Sequence, residues 1–320
     1  MEVRGAPHGE EPDRELLLSG LRRQPRSIPS KFLYDERGSL LFEEITELPE
    51  YYQTRTEREI LAAAAEAITR RTAARQLVEL GPGSASKTRL LLDALWQQRT
   101  LTSYVPIDVS EEMLRSVAEE IAVAYPGLAV HAIVGDFTED AAPLPPVAPP
   151  GPRLTLFLGG TIGNLHPERE APAFLARLAR AMAAGDFLLL GVDLIKDRGV
   201  LEAAYDDAGG VTAEFNRNIL RVVNRLLEAD FDPACFAHRA FYDPASRWIE
   251  MRLVAVAPQR VRLGFTGEVL ELAAGEEIHT EISAKYDAER VRQLFAASGF
   301  RLLEEHADPR RQFALYLGQR

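Results

Sequence analysis

The sequence has 320 residues, 46% hydrophobic and 27% charged, which is enough apolar material for one large core and a smaller second lobe. The net charge of −11 disfavours a protein that grips a phosphate backbone, and the single cysteine excludes an internal disulfide framework. No apolar run approaches the roughly 18 residues of a membrane span. We therefore expect a cytoplasmic, monomeric protein without a nucleic-acid or membrane partner.

The N-terminal quarter contains few regular signals. The first fourteen residues are polar and predict a frayed tail, and a mixed segment follows to about residue 55. The pattern Thr56-Glu-Arg-Glu59 is typical of a capping box, in which a hydroxyl and a carboxylate bond backbone N–H groups at a helix start. It predicts that a long, alanine-rich helix begins there and runs to about Thr72.

Short runs of Val, Ile and Leu alternate with helical patterns in the next part of the chain. The predicted strands are 76–80, 102–108, 128–136, 153–160 and 187–194. Strands that alternate with helices predict a parallel sheet covered on both faces, as in α/β folds. We interpret the proline-rich loop 143–152 as a surface insertion and assign it no function.

The pattern changes after Asp197. A helical stretch leads into predicted hairpins, the first with its turn at Asp243–Ser246, and a helix from Asp287 precedes two closing strands. We divide the chain into an α/β domain, 56–197 and 286–320, and an inserted α+β lobe, 15–55 and 198–285.

The strongest motif is VELGPGSASKT, at residues 78–88, where a strand ends and a helix follows. Gly81 and Gly83 let the backbone turn tightly and approach a ligand closely. Ala85 replaces the third glycine of a dinucleotide fingerprint, which disfavours a nicotinamide enzyme. The loop resembles the glycine loop of class I S-adenosylmethionine (SAM) methyltransferases; the alternative is a plain strand-to-helix turn.

Polar residues also stand at the ends of the next three predicted strands. Asp108 can accept both hydroxyls of a ribose, while Asp136 and Phe137 stand where class I methyltransferases bind adenine. The segment GGTIGN, which ends at Asn164, follows the fourth strand. Because parallel strands end at one edge of a sheet, these residues predict a ligand site there. The six histidines lack ligand spacing, so we expect no metal.

Beyond these motifs, the sequence resembles the histidine-specific Nα-methyltransferases of ergothioneine biosynthesis. The resemblance runs from about Lys31 to the C-terminus and is carried by KFLYDERGSLLFEEITELPEYYQTR, ELGPGSASKT, PIDVSEEML, YDDAGGVTAEFNRNIL and GEEIHTEISAKY. It implies a class I methyltransferase fold with a Rossmann-like sheet. It also implies successive methyl transfers from SAM to the α-amine of a small-molecule substrate, histidine, to give the betaine hercynine.

The resemblance implies two sets of site residues. Those that would hold SAM are Gly81, Lys87, Asp108, Asp136 and Phe137. Those that would hold the substrate are Asn164 and Tyr205 at the carboxylate, Tyr34 at the amine, and Tyr51, Glu281, Ser283 and Met251 at the imidazole. Tyr34 and Asn164 would be closest to the chemistry, and we expect no dedicated general base.

The spacing of Glu281 and Ser283 agrees with this role. Residues i and i+2 of a strand share a face, so an acceptor and a hydroxyl would point the same way and suit two imidazole nitrogens. The alternative for this segment is a solvated edge strand.

Other functions stay open from the sequence. The same chemistry on another aromatic amino acid, such as tryptophan, would use the same SAM motifs, although an indole gives the carboxylate of Glu281 less to bind. A non-catalytic SAM-binding module would not need the set of Tyr51, Asn164 and Tyr205. A protein or RNA methyltransferase is disfavoured by the acidic composition.

Overall fold

The computed structural model of the chain describes residues 2–4, 10–137 and 150–320. Most of the predicted surface insertion at 143–152 therefore lies outside the described residues. The chain forms two compact units. The first comprises Met1–Pro7, Gln53–Ile195 and Lys285–Arg320, and the second comprises His8–Tyr52 and Lys196–Ala284.

The elements follow one another along the described chain. The helices are α1 (Glu10–Arg22), α2 (Glu36–Glu47), α3 (Tyr52–Thr72), α4 (Arg89–Gln97), α5 (Glu111–Ala124), α6 (Glu170–Ala181), α7 (Arg198–Ala203), α8 (Val211–Leu227) and α9 (Ala288–Ser298). The strands are β1 (Glu2–Arg4), β2 (Arg26–Ser27), β3 (Gln76–Leu80), β4 (Ser103–Asp108), β5 (Ala129–Val134), β6 (Arg153–Phe157), β7 (Phe187–Asp193), β8 (Phe236–Asp243), β9 (Trp248–Ala255), β10 (Gln259–Leu263), β11 (Glu268–Leu272), β12 (Glu277–Ala284), β13 (Arg301–Ala307) and β14 (Phe313–Gln319). None of the described helices is both long and apolar enough to span a bilayer.

The first unit is built on one sheet with the order β1-β5-β4-β3-β6-β7-β14-β13. Within this sheet, the strands β1, β5, β4, β3, β6 and β7 pair in parallel. Strand β14 is antiparallel to both β7 and β13. Every residue of β3 and β7 is buried, as expected of strands that are covered on both faces. The parallel pairing brings the carboxyl ends of β3, β4, β5 and β6 to one edge.

Two expectations about the N-terminal part are wrong. Of the predicted frayed tail, residues 2–4 form β1 and pair in parallel with β5 at the edge of the sheet, and residues 10–14 belong to α1. Residues 1 and 5–9 lie outside the described residues. Helix α3 begins at Tyr52, so Thr56 is buried inside the helix instead of capping its start. The buried side chains of Tyr52 and Gln53 continue the packed face beyond the capping pattern, and packing outweighs that local signal.

Helix α8 is the centre of the second unit. It contacts α1 and α2 and also packs on β8 and β9 of a sheet with the order β2-β12-β9-β8. Ten of its side chains are buried, including two asparagines, so the helix is enclosed on several faces. Strands β10 and β11 form a separate antiparallel hairpin.

A buried ion pair joins the end of β7 to the segment after β12 within the first unit. Lys285 Nζ lies 2.9 Å from Asp193 Oδ2, and the two side chains are 0% and 4% exposed. Gln53 donates to the same carboxylate at 3.5 Å, and the backbone N–H of Tyr286 donates to the carbonyl of Asp193. Removing one member of such a pair leaves a buried charge with its main partner missing.

We predict that Lys285→Met lowers the free energy of unfolding by about 3–5 kcal/mol, because it leaves the Asp193 carboxylate buried without its cationic partner. Urea unfolding followed by circular dichroism measures the loss. The double variant Asp193→Leu with Lys285→Met is the control, and it should recover most of the stability. A single variant as stable as the wild type would contradict the prediction.

Candidate functional site

The glycine loop and Asp108 lie together at the carboxyl edge of the sheet. Gly81 has φ 68°, and a Cβ built on it would lie 3.6 Å from the ring of Phe137. The carboxylate of Asp108 accepts a hydrogen bond from the backbone N–H of Ser110 at 3.0 Å. Burial raises the pKa of Asp108 above its ordinary value, although the backbone N–H groups of Ser110, Val109 and Gly83 act in the opposite direction.

Phe137 follows β5 and belongs to an aromatic group at the same edge. Its ring centroid lies 5.6 Å from that of Phe157 and 6.2 Å from that of Phe174. Asp136 precedes it and is half-buried. The structure therefore brings Gly81, Asp108 and Phe137 together at one edge of the sheet. Asp136 is the residue before Phe137 in the chain.

The ammonium of Lys87 is held by a glutamate that the sequence did not single out. Lys87 contacts the carboxylate of Glu57, which is completely buried, while the lysine side chain is 20% exposed. Both carboxylate oxygens of Glu57 also accept from the backbone N–H of Gly159, at 2.9 Å. Glu57 on α3 therefore joins the start of α4 to the loop after β6.

The carboxylate of Glu57 requires a glycine opposite it on β7. A Cβ built on Gly191 would lie 2.3 Å from Glu57 Oε1 and 3.3 Å from the backbone of Leu158. The loop after β6 then turns through Gly159 and Gly160, both with positive φ, into a short 3-10 turn, Thr161–Asn164. This places Asn164 in the first unit, at the end of the loop that Glu57 binds through Gly159.

The other predicted substrate residues belong to the second unit. Glu281 and Ser283 lie on β12, with exposures of 6% and 5%, and Glu281 pairs with Met251 of β9. The hydroxyl of Tyr205 donates to Ser283 Oγ at 2.7 Å. Residues opposite one another in an antiparallel pair share a face, so Glu281, Ser283 and Met251 form one buried polar and apolar surface. Glu281 is thus not on a solvated edge strand.

Tyr34 and Tyr51 are linked to Tyr205 by aromatic packing. The ring of Tyr51 lies 6.4 Å from that of Tyr205, and Phe42 bridges Tyr34 and Tyr51 with centroid distances of 5.6 and 6.0 Å. Phe215 of α8 also packs on Tyr34, at 5.5 Å. Tyr34, Tyr51 and Tyr205 are therefore members of one cluster in the second unit.

Sequence reasoning also missed two asparagines of α8. Asn218 is completely buried and donates to Asp35 Oδ1 at 2.7 Å, and the same oxygen caps α2 at Gly38. Asn218 thereby fixes the residue that follows Tyr34. Asn216, also completely buried, bonds to β9 and β12. The sequence offered little signal, because α8 also carries a glutamate, three arginines and a third asparagine among its apolar residues.

Among the described residues, no group of three or more His, Cys, Asp or Glu side chains is arranged to hold a metal ion. The fold and the edge site instead define a class of protein. A mostly parallel sheet in which the antiparallel β14 lies between β7 and β13, with a glycine loop and acids at its carboxyl edge, is the arrangement of class I SAM-dependent methyltransferases.

Comparison with known proteins identifies the family. The profile described as histidine-specific methyltransferase, SAM-dependent, matches residues 13–320. The chain is 46% identical to the histidine N-alpha-methyltransferase of Mycolicibacterium smegmatis, over 96% of this chain and 94% of that protein. It is also 46% identical to the protein of the same name from Mycobacterium tuberculosis, over 95% and 94%. This chain belongs to the SAM-dependent, histidine-specific methyltransferase family.

A fungal relative is longer. The chain is 30% identical to ergothioneine biosynthesis protein 1 of Neurospora crassa, over 88% of this chain but 32% of that protein.

We predict that Glu57→Gln lowers the free energy of unfolding by about 1.5–3 kcal/mol, because the hydrogen bond from Gly159 and the contact with Lys87 lose a charged partner. Thermal unfolding measures the difference. Glu59→Gln is the matched control, since Glu59 lies on the same helix and is exposed. Equal stability of the two variants would refute the assigned role of Glu57.

Proposed function

We propose that the protein transfers methyl groups from SAM to the α-amine of L-histidine, in succession, to give the trimethylated betaine hercynine, as in ergothioneine biosynthesis. The family supports this reading, and one observation carries the choice of substrate. The carboxylate of Glu281 and the hydroxyl of Ser283 are buried on one face of β12, and Met251 lies opposite Glu281. That surface offers an acceptor and a hydroxyl to the two nitrogens of an imidazole.

The edge of the sheet in the first unit fits SAM. Gly81 leaves space beside the ring of Phe137, which a side chain at position 81 would fill. Asp108 would accept the two ribose hydroxyls, and these donors would favour its ionised form against the effect of burial. Asp136 and Phe137 would bind the adenine.

Lys87 would complement the carboxylate of the methionine part. A lysine ammonium has three donors, so its contact with Glu57 is compatible with a second acceptor. Glu57 would then hold the ammonium in position. When bound, SAM supplies a methyl group activated by its positive sulfur.

The remaining residues would bind and orient the amino acid. Asn164 and Tyr205 would hold its carboxylate, and Tyr34 would orient the amine. Tyr51 and Met251 would pack beside the imidazole. Because the attacking amine must be neutral, a desolvated pocket helps by disfavouring the ammonium form. The protein's main contribution would be to position the amine and exclude water.

We predict that Asp108→Ala weakens SAM binding by about 1.5–3 kcal/mol, the usual contribution of hydrogen bonds to a charged group. Isothermal titration calorimetry measures the affinity. Asp93→Ala is the control, because Asp93 is an exposed acid of the same unit that accepts a hydrogen bond from the hydroxyl of Tyr125. Unchanged SAM affinity in Asp108→Ala would contradict the proposal that SAM binds at this edge of the sheet.

We predict that Glu281→Ala lowers kcat/KM for histidine by an amount equivalent to about 1.5–3 kcal/mol, while SAM affinity stays unchanged. Glu277→Ala is the control on the same strand, since Glu277 is bound to Arg239 and Arg252. Histidine turnover at wild-type efficiency in Glu281→Ala would show that the specificity assignment is wrong.

A further inference from the structure

A polar network inside the second unit joins the elements that carry the proposed histidine-binding residues. Its centre is Asn216 of α8, which is 0% exposed. The amide nitrogen of Asn216 donates to the carbonyl of Arg252 at 3.1 Å and to Nδ1 of His238 at 2.9 Å. Its amide oxygen accepts from the hydroxyl of Thr280 at 2.7 Å. A buried amide whose nitrogen makes two hydrogen bonds and whose oxygen accepts one is held in one orientation.

These contacts determine the state of His238. The carbonyl of Arg252 can only accept, so the Asn216 atom that faces it is the amide nitrogen. The same nitrogen faces His238 Nδ1, which must therefore accept a hydrogen bond. The hydrogen of the neutral ring is then on Nε2, which lies 2.8 Å from the carbonyl oxygen of Tyr205 and donates to it. Burial lowers the pKa of His238, which favours this neutral form although the carboxylate of Asp206 lies 4.0 Å from Nε2.

One branch of the network fixes Tyr205 at both ends. His238 binds its backbone carbonyl, and its phenol hydroxyl donates to Ser283 at 2.7 Å. A shift of the His238 ring would move the backbone of Tyr205 and, with it, the hydroxyl that contacts Ser283. The ring of Tyr51 packs on Tyr205 and would move with it.

The other branch fixes the strand beside Glu281. The pairing of β12 with β9 shifts register between His279 and Glu281, so Thr280 stands at a bulge. The hydroxyl of Thr280 bonds to Asn216 and also lies 3.0 Å from the carbonyl of Met251. Bulges re-aim the side chains next to them, and here those are Glu281 on one strand and Met251 on the other.

We propose that Asn216 and His238 are positioning residues of the histidine pocket, which set Tyr205 on one side and the Thr280 bulge on the other. The inference rests on the proposed function and adds to it the residues that pre-organise the pocket. Neither residue needs to touch histidine. Their effect would be on substrate binding, because they aim the groups that bind the imidazole and the carboxylate.

The test is steady-state kinetics of the full chain with histidine as the varied substrate. Asn216→Ala should raise KM for histidine about tenfold or more, with a smaller change in kcat and unchanged SAM affinity. Asn224→Ala is the matched control on the same helix. Its amide makes the same kind of contacts, to the backbone carbonyl and N–H of Phe231, at 2.7 and 2.9 Å. Asn224→Ala should leave KM for histidine unchanged.

A second pair of variants keeps the test valid if Asn216→Ala fails to fold. Thr280→Val removes only the hydroxyl that Asn216 binds and should raise KM, whereas Thr280→Ser keeps the hydroxyl and should restore KM. Equal KM values in the two Thr280 variants, or in the two asparagine variants, would overturn this inference but not the proposed function. A wild-type protein that binds SAM but does not methylate histidine would overturn the proposed function together with this inference.

Discussion

The carboxyl edge of a parallel sheet brings strand ends and polar side chains together. The first unit depends on the hydrogen bonds and ion pairs that its buried carboxylates make there. Glu57 is held by Lys87 and by the backbone of Gly159. Glu79, at the end of β3, accepts from the hydroxyls of Thr88 and Tyr104. Burial raises the pKa of Glu79, and these two donors act against that effect. An acid in such a position is tolerated only when it is hydrogen-bonded.

These acids determine the shape of the edge. Glu57 requires Gly191 on β7, binds the loop that leads to Asn164, and holds Lys87 at the start of α4. One carboxylate on α3 thereby joins the loop after β6 to the start of α4. A buried carboxylate that bonds to two further segments fixes their mutual positions, since any displacement leaves it partly unsatisfied. Pre-organisation of this kind is what a site that binds SAM needs, because catalysis then consists mainly of placing two reactants.

Helix α8 has the corresponding role in the second unit. Asn216 is bonded to the sheet that carries Glu281, and Asn218 is bonded to Asp35 beside Tyr34. The helix therefore reaches both groups of proposed substrate residues through buried amides. Each unit is ordered by polar groups within an apolar core, and in both units these groups lie next to the residues proposed to bind ligands.

Sequence patterns predicted the α/β fold class correctly, because strands buried on both faces are rich in Val, Ile and Leu over short local runs. The start of α3 was mispredicted, since the capping signal at Thr56 is local and the packing of Tyr52 is not. Glu57 was missed for a related reason. Its partner Gly159 lies 102 residues away, and nothing near Glu57 in the sequence distinguishes it from the exposed Glu59. The roles of the ligand-binding residues stay proposals that rest on the family and on their placement.

The most direct test of the proposed function is a competition assay followed by mass spectrometry. Purified protein is incubated with SAM and an equimolar mixture of the common amino acids. The proposed function predicts successive methyl additions, up to three, on histidine alone. Methylation of a different amino acid would contradict the assignment of Glu281 and Ser283, and the absence of any methylated amino acid despite bound SAM would contradict the proposed activity.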